Sequence, residues 1–124
     1  MIVDSDVIIE ILRGNSRTIG WLRQQRAAGT ILRYSPITRA EVRAGARRAE
    51  QPTISALFAS LAVVPVEAST ADIAGDQLSR FASSHGVQLG DALIAAAAIE
   101  HADNLATFNA RHFPGVRHLV RPHR

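Results

Sequence analysis

Met1-Ile2-Val3-Asp4-Ser5-Asp6-Val7-Ile8-Ile9-Glu10-Ile11-Leu12-Arg13-Gly14 is the stretch on which the reading of the whole chain turns. Met1-Ile2-Val3 is apolar and largely β-branched, the composition of a fully buried strand rather than a half-exposed one. Asp4 and Asp6 follow, and then Val7-Ile8-Ile9 and Ile11-Leu12 resume an apolar pattern that fits the start of a helix. The stretch therefore predicts acidic side chains where a buried strand hands over to a helix. In open α/β sheets, ligands bind at that place, outside the carboxyl ends of the strands. A helix N-terminus favours negative charge, but two acids beside a buried strand call for more than a dipole. A divalent cation would supply it. The ordinary alternative is that Ser5 or Asp6 caps the helix. Asp6 fits capping better than metal ligation; for Asp4, nearer the strand, the preference reverses.

With 124 residues the chain has room for one domain, residues 1–124, with a substantial core. A hydrophobic fraction of 47% and a mean hydropathy of +0.05 are those of a soluble globular protein, not a disordered or membrane one. The small-residue run from Ala92 to Ile99 is far shorter than the ~18 residues of a membrane span. No basic leader precedes the first strand, so no signal peptide is expected. Cysteine is absent, which leaves no disulfide framework or thiolate metal site and makes a reducing cytoplasm the expected location. The net charge is +3, and every basic side chain other than histidine is Arg. Arg suits bidentate contact with phosphate, which fits an RNA or DNA partner, although the abundant Ala points to a GC-rich genome as a second source of the same bias.

Further along, Ser16 to Ala28 reads as a helix ended by Gly29, with Trp21 covering an edge. Ile31-Leu32-Arg33-Tyr34 reads as a strand ended by Ser35-Pro36. Thr38-Arg39-Ala40-Glu41 has the form of a capping box, which gives Glu41 an ordinary role. A helix is expected over Thr53 to Leu61, a third strand over Ala62 to Val66, and a helix opened by a second box, Ser69-Thr70-Ala71-Asp72, and closed at His85-Gly86. Asp91 heads an Ala-rich helix as its possible N-cap. Leu105-Ala106-Thr107 and Val116 to Val120 supply the last strands, and the tail Arg121-Pro122-His123-Arg124 reads as solvated. Strands alternating with helices predict an α/β fold, a parallel sheet of four to five strands covered by helices.

Asp4, Asp6, Glu41 and Asp91 thus sit at or near element starts, while Glu10, Glu50, Glu67, Asp72, Asp76, Glu100 and Asp103 read as solvated surface. Several carboxylates converging without Lys or Cys suit a hard cation such as Mg²⁺ or Mn²⁺. Such an ion activates water and stabilises the oxygens of a phosphodiester under attack.

Four pieces, in order, carry a resemblance that spans nearly the whole chain. They are Ile2 to Ile9, Ile37 to Gly45, Leu89 to Ala98 and Leu105 to Phe113. Together they resemble the PIN-domain ribonucleases, and among these the VapC-type toxins of toxin–antitoxin pairs. The resemblance implies a three-layer α/β/α sandwich, an acidic pocket for Mg²⁺ or Mn²⁺, and metal-binding roles for Asp4, Glu41 and Asp91. It places the family's fourth acidic position at Asn109, an amide here, which lowers the pocket's charge. It gives Asp6 and Thr107 supporting positions, and it implies an antitoxin partner that wraps the toxin, and a homodimer. Arg13, Arg39, Arg43, Arg47, Arg48 and Arg111 are candidates for RNA phosphate, with Arg43, Arg47 and Arg48 spaced to share a helical face; a plain charged face is the alternative. His112 lies in a matched piece, where packing or solvent contact fits it better than substrate contact.

Two other readings fit parts of the chain. The opening also resembles haloacid-dehalogenase-type phosphatases, with Asp4 as a covalent nucleophile, though these use a later basic residue, usually Lys, that this chain lacks. A non-enzymatic α/β binding module with a vestigial acidic pocket is the other.

Overall fold

The computed structural model describes residues 1–124. Five short parallel strands form one sheet: β1 (Ile2–Val3), β2 (Arg33–Tyr34), β3 (Ala62–Val63), β4 (Leu105–Ala106) and β5 (Leu119–Val120), in the spatial order β3-β2-β1-β4-β5. Six helices accompany them: α1 (Ser5–Leu12), α2 (Ser16–Ala27), α3 (Pro36–Ala44), α4 (Gln51–Ala59), α5 (Ala68–His85) and α6 (Leu89–Glu100). This is the expected α/β sandwich.

Period-two alternation explains the layers. On β1, Val3 packs with α1, α2 and α4 through Val7, Ile8, Trp21, Leu22, Ile54 and Phe58. Ile2 points the other way, onto Ile94, Ala95, Ala97 and Ala98 of α6. On β4, Leu105 joins the α6 side and Ala106 the α1 side. A central parallel strand buried on both faces needs no alternation of polarity, so Ile-Val and Leu-Ala suffice. The run of alanines lets α6 come close to the sheet and to α5, with Ala74, Ala92 and Ala96 forming their own buried cluster. Trp21 belongs to the main core at 6% exposure rather than to an edge.

The strands are shorter than the sequence suggests, because apolar residues at their ends continue as loop. Ile31 and Val66 are exposed, and Val64 is buried beyond the end of β3. The capping residues also differ. Ser35 caps α3 by accepting the Ile37 N–H at 3.2 Å, with Pro36 in the first position, so no box forms at Thr38. The cap of α5 is Glu67, whose N–H donates to Thr70 Oγ1 at 3.1 Å. The Ser69 and Thr70 hydroxyls reach across to Glu100, a carboxylate that is therefore not simply solvated and is held below its usual range by those two donors. Gly86 does close α5, at φ 66° in the left-handed region. No helix is long and apolar enough to cross a membrane.

The chain fills the sheet from β1 outward through β2 to β3, then crosses to the other side for β4 and β5. The order reverses between β1 and β4, so the crevice for a ligand opens at the carboxyl ends of those two strands.

Candidate active site

Asp4 leaves the end of β1 and Thr107 the end of β4, so both stand at that crevice. Asp4 is 6% exposed. Its Oδ1 accepts the Ser5 N–H at 2.7 Å, and its Oδ2 accepts the Thr107 hydroxyl at 2.8 Å. Asp4 is thus itself the N-cap of α1, and Ser5 and Asp6, the residues read as caps, lie inside the helix. Asp6 instead faces the β4 side: its Oδ2 accepts the Phe108 N–H at 3.0 Å and lies 3.4 Å from the Thr107 hydroxyl, while its Oδ1 is buried without a partner. Burial, and next the charge of Asp6, push the Asp4 carboxyl up to about 7, against the pull of the Thr107 and Ser5 donors. Burial raises Asp6 as well. No cationic side chain compensates the pair.

Glu41 sits mid-helix on α3, exposed and free of capping because α3 begins at Pro36. Its Oε1 accepts the Ser5 hydroxyl at 2.7 Å. Its Oε2 lies against Gly90, where a Cβ would stand only 2.9 Å away. A side chain at 90 would push this carboxylate aside. Asp91 follows in the first turn of α6; its Oδ2 accepts the Gln88 N–H at 3.1 Å, making Gln88 the cap rather than Asp91. The same Oδ2 is 3.7 Å from His112 Nδ1, which lies 2.9 Å from Asn109 Nδ2. The Asn109 N–H donates in turn to Thr107 Oγ1 at 2.9 Å.

The contacts therefore close a circuit: Asp4, Ser5, Glu41, Gly90, Asp91, His112, Asn109, Thr107 and back to Asp4. The side chains of residues 4, 41 and 91 are brought to one neighbourhood. They do not form a tight ligand set, since no three His, Asp or Glu groups stand close enough together to hold an ion as they lie. Each carboxylate accepts from a nearby N–H or O–H donor. The donor chemistry is all oxygen, and a buried acid pair includes an orphaned oxygen; both fit a hard divalent cation.

Three participants were missed in the sequence. Ser5 acts through its hydroxyl on Glu41, Gly90 through the side chain it lacks, and His112 as the link between Asn109 and Asp91. Ser5 and Gly90 are marked in the sequence only by adjacency to the acids, and His112 only by lying in a matched piece, where packing or solvent contact is the favoured reading.

The arginines divide. Arg39 is spent internally, with Nη1 donating to Tyr34 Oη at 3.2 Å and its guanidinium 5.5 Å over the Phe58 ring. Arg47 pairs with Glu50 at 2.9 Å. Because α3 ends at Ala44 and Arg48–Glu50 is a separate 3₁₀ turn, Arg43, Arg47 and Arg48 share no helical face. Arg43, Arg48 and Arg111 are exposed, and Arg13, at the end of α1, pairs with Glu10 at 3.4 Å. The C-terminal tail is not free in solvent: Arg121 Nη1 donates to the Phe108 carbonyl at 3.0 Å, and His123 Nε2 is 2.8 Å from the buried Thr18 hydroxyl.

Comparison with known proteins shows the family. Residues 1–119 match the model of the PIN domain. Ribonuclease VapC10 of Mycobacterium tuberculosis is 41% identical over 123 residues, covering 98% of this chain and 92% of the relative. Ribonuclease VapC19 of the same organism is 32% identical, covering 98% of each. Among solved structures, a toxin–antitoxin complex from Klebsiella pneumoniae aligns with a TM-score of 0.78 at 22% identity, over 98% of this chain and 97% of that one. FitAcB from Neisseria gonorrhoeae aligns with a TM-score of 0.70 at 28% identity, over 98% and 96%.

Proposed function

The chain belongs to the PIN-domain family, and from that premise we propose that it is a Mg²⁺- or Mn²⁺-dependent endoribonuclease, the toxin of a VapBC-type pair. One observation carries the reading. Ser5 and Gly90 tie Glu41 to both Asp4 and the start of the Asp91 helix, at the crevice where β1 and β4 end.

Asp4 and Asp91 would hold the cation, with Glu41 completing the set or orienting water. When bound, the ion lowers the pKa of a water and polarises the scissile phosphate. The remaining work falls to the chain itself. The Thr107 hydroxyl fixes Asp4 Oδ2, and second-contact donors of this kind set the aim and basicity of a ligand. Ser5 aims Glu41 through its hydroxyl. Asp6 anchors the loop after β4 by accepting the Phe108 N–H. Asn109, uncharged, holds His112 beside Asp91 and keeps the pocket's negative charge lower than a fourth acid would. Arg43, Arg48 and Arg111 are available for RNA phosphate, and Arg13, 72% exposed, keeps N–H groups beyond its 3.4 Å contact with Glu10.

Two relatives bear the name ribonuclease, and aligned structures are toxin–antitoxin complexes; these support RNA as substrate, an antitoxin as partner, and a homodimer by family likeness. The phosphatase reading asks for a later basic residue, usually Lys, to hold the phosphoryl group, and the chain contains no Lys. A mere binding module gives no reason to keep a buried Asp4 beside an unpartnered Asp6 oxygen, an arrangement that is costly.

The test is cleavage of structured RNA by the purified chain with Mn²⁺. Cleavage abolished by chelator and by Asp4→Asn or Asp91→Asn supports the proposal. Absence of cleavage on all RNAs, across metals and pH, overturns it.

A further inference from the structure

Between α1 and the C-terminal tail lies a hollow of about 430 Å³. Asp6, Glu10, Arg13, Phe108, Arg121 and His123 line it. Its size falls within the range of about 300–1,000 Å³ typical of small-ligand sites. The hollow is one side chain removed from the acidic centre, through Asp6, Thr107 and Asp4. It also adjoins a groove of about 220 Å³ that holds Glu41, since Arg13 and Ile9 line both.

Its walls are built rather than incidental. The Arg121 guanidinium lies 5.3 Å over the Phe108 ring and is fixed by its bond to the Phe108 carbonyl. The His123 ring meets the same phenyl at 5.0 Å and is pinned by the Thr18 hydroxyl. Glu10 is held by Asn15 Nδ2 at 3.2 Å and by Arg13. The hollow thus combines a fixed planar cation, arginines for a phosphate and a carboxylate acceptor.

We propose that this hollow is a subsite for the nucleotide flanking the scissile phosphate of RNA, and that it sets base preference at that position. The proposal rests on the ribonuclease reading and extends it. Arg13 and Arg121 take the flanking phosphate, and the base stacks on the Arg121–Phe108 unit, as unpaired bases stack on guanidinium planes and aromatic rings. Glu10 accepts from the base edge. That favours a base presenting donors, guanine first, because its N1–H and N2–H₂ lie side by side opposite the two carboxylate oxygens. Uracil, with a single N–H between two carbonyls, is disfavoured.

The test is cleavage of short single-stranded RNAs that vary only in the nucleotides next to the cut. Glu10→Gln keeps an oxygen for Asn15 yet presents an amide to the base, so guanine preference should fall by about five- to a hundredfold, the discrimination one bidentate base contact supplies. Arg121→Ala should raise KM more than it changes kcat and reduce the salt dependence of binding by about one phosphate contact. Arg80→Ala, an equal loss of charge on α5, serves as control, and thermal melts verify that each variant is folded. A wild-type protein that cleaves nothing overturns the ribonuclease reading itself. Cleavage by folded variants with wild-type KM, salt slope and base preference overturns the subsite alone. So does a loss confined to antitoxin affinity, which would assign the hollow to a protein contact.

Discussion

Replacing Asp4 by Asn should stabilise this protein while abolishing its activity. The Asp4 carboxyl is raised from 3.8 to about 7 by burial and by Asp6, whereas in the unfolded chain it keeps its ordinary value. A carboxyl raised on folding contributes full stability below its unfolded pKa, and that contribution drains away as pH climbs to the folded value. Between pH ~4 and ~7 the Asp4 contribution alone therefore falls by on the order of 4 kcal/mol, at about 1.4 kcal/mol per unit. Asn carries no charge to desolvate, and its side-chain oxygen still accepts the Ser5 N–H. Urea or thermal unfolding in chelator should show the two proteins alike at pH 4. At pH 8 the variant should be ahead by roughly 2–4 kcal/mol, on the order of 10 °C in Tm. Titrating groups remote from Asp4 cancel in the difference, whereas Asp6, which interacts with Asp4, adds to it. Millimolar Mn²⁺ should close the gap by stabilising the wild type alone. Unfolding curves that stay parallel from pH 4 to 8, or a variant less stable at pH 8, would refute the reasoning.

Other expectations follow from the same geometry. Gly90→Ala improves a helical position by about 0.5–1 kcal/mol yet places a Cβ 2.9 Å from Glu41 Oε2; denaturation should show equal or higher stability, and cleavage assays at least a tenfold loss. Thr107→Val leaves Asp4 Oδ2 without its donor, so calorimetric Mn²⁺ affinity should fall by about 10–100-fold and the Asp4 pKa, followed by carboxyl NMR shifts, should rise further. Ala96→Leu overfills the fully buried contact between α5 and α6 and should cost about 1–3 kcal/mol in urea unfolding, with kcat of the folded fraction unchanged.

The sheet and the gathering of the acids were legible because both depend on coarse signals. Buried strands are short apolar runs, and acids placed just after them end at the crevice whatever the details of the helix start. Capping was read less well. Ser, Thr and Asp within three residues of each other are comparably competent acceptors, so Asp4 rather than Ser5 and Ser35 rather than Thr38 were decided by packing; Gln88 makes no side-chain cap bond and is held through its N–H by Asp91. The Ser5–Glu41 bond and the Asp91–His112–Asn109 link join residues far apart in sequence and leave no periodic trace. Arg39 reads like any charged surface residue, and only the placing of Tyr34 and Phe58 reveals that it is occupied. The tail misled for a similar reason: Arg-Pro-His-Arg is polar in composition, and its anchors, Thr18 and Phe108, lie on other elements.

The pairing of β1 with β4, Ile2 beside Leu105 and Val3 beside Ala106, has a temporal consequence. Asp4 and the Thr107 hydroxyl that steadies it lie 103 residues apart along the chain, so the carboxylate gains that donor only after β4 has been made. During most of synthesis the half-made polypeptide holds its acids without their frame. Order in that frame waits until β4 has emerged and paired with β1.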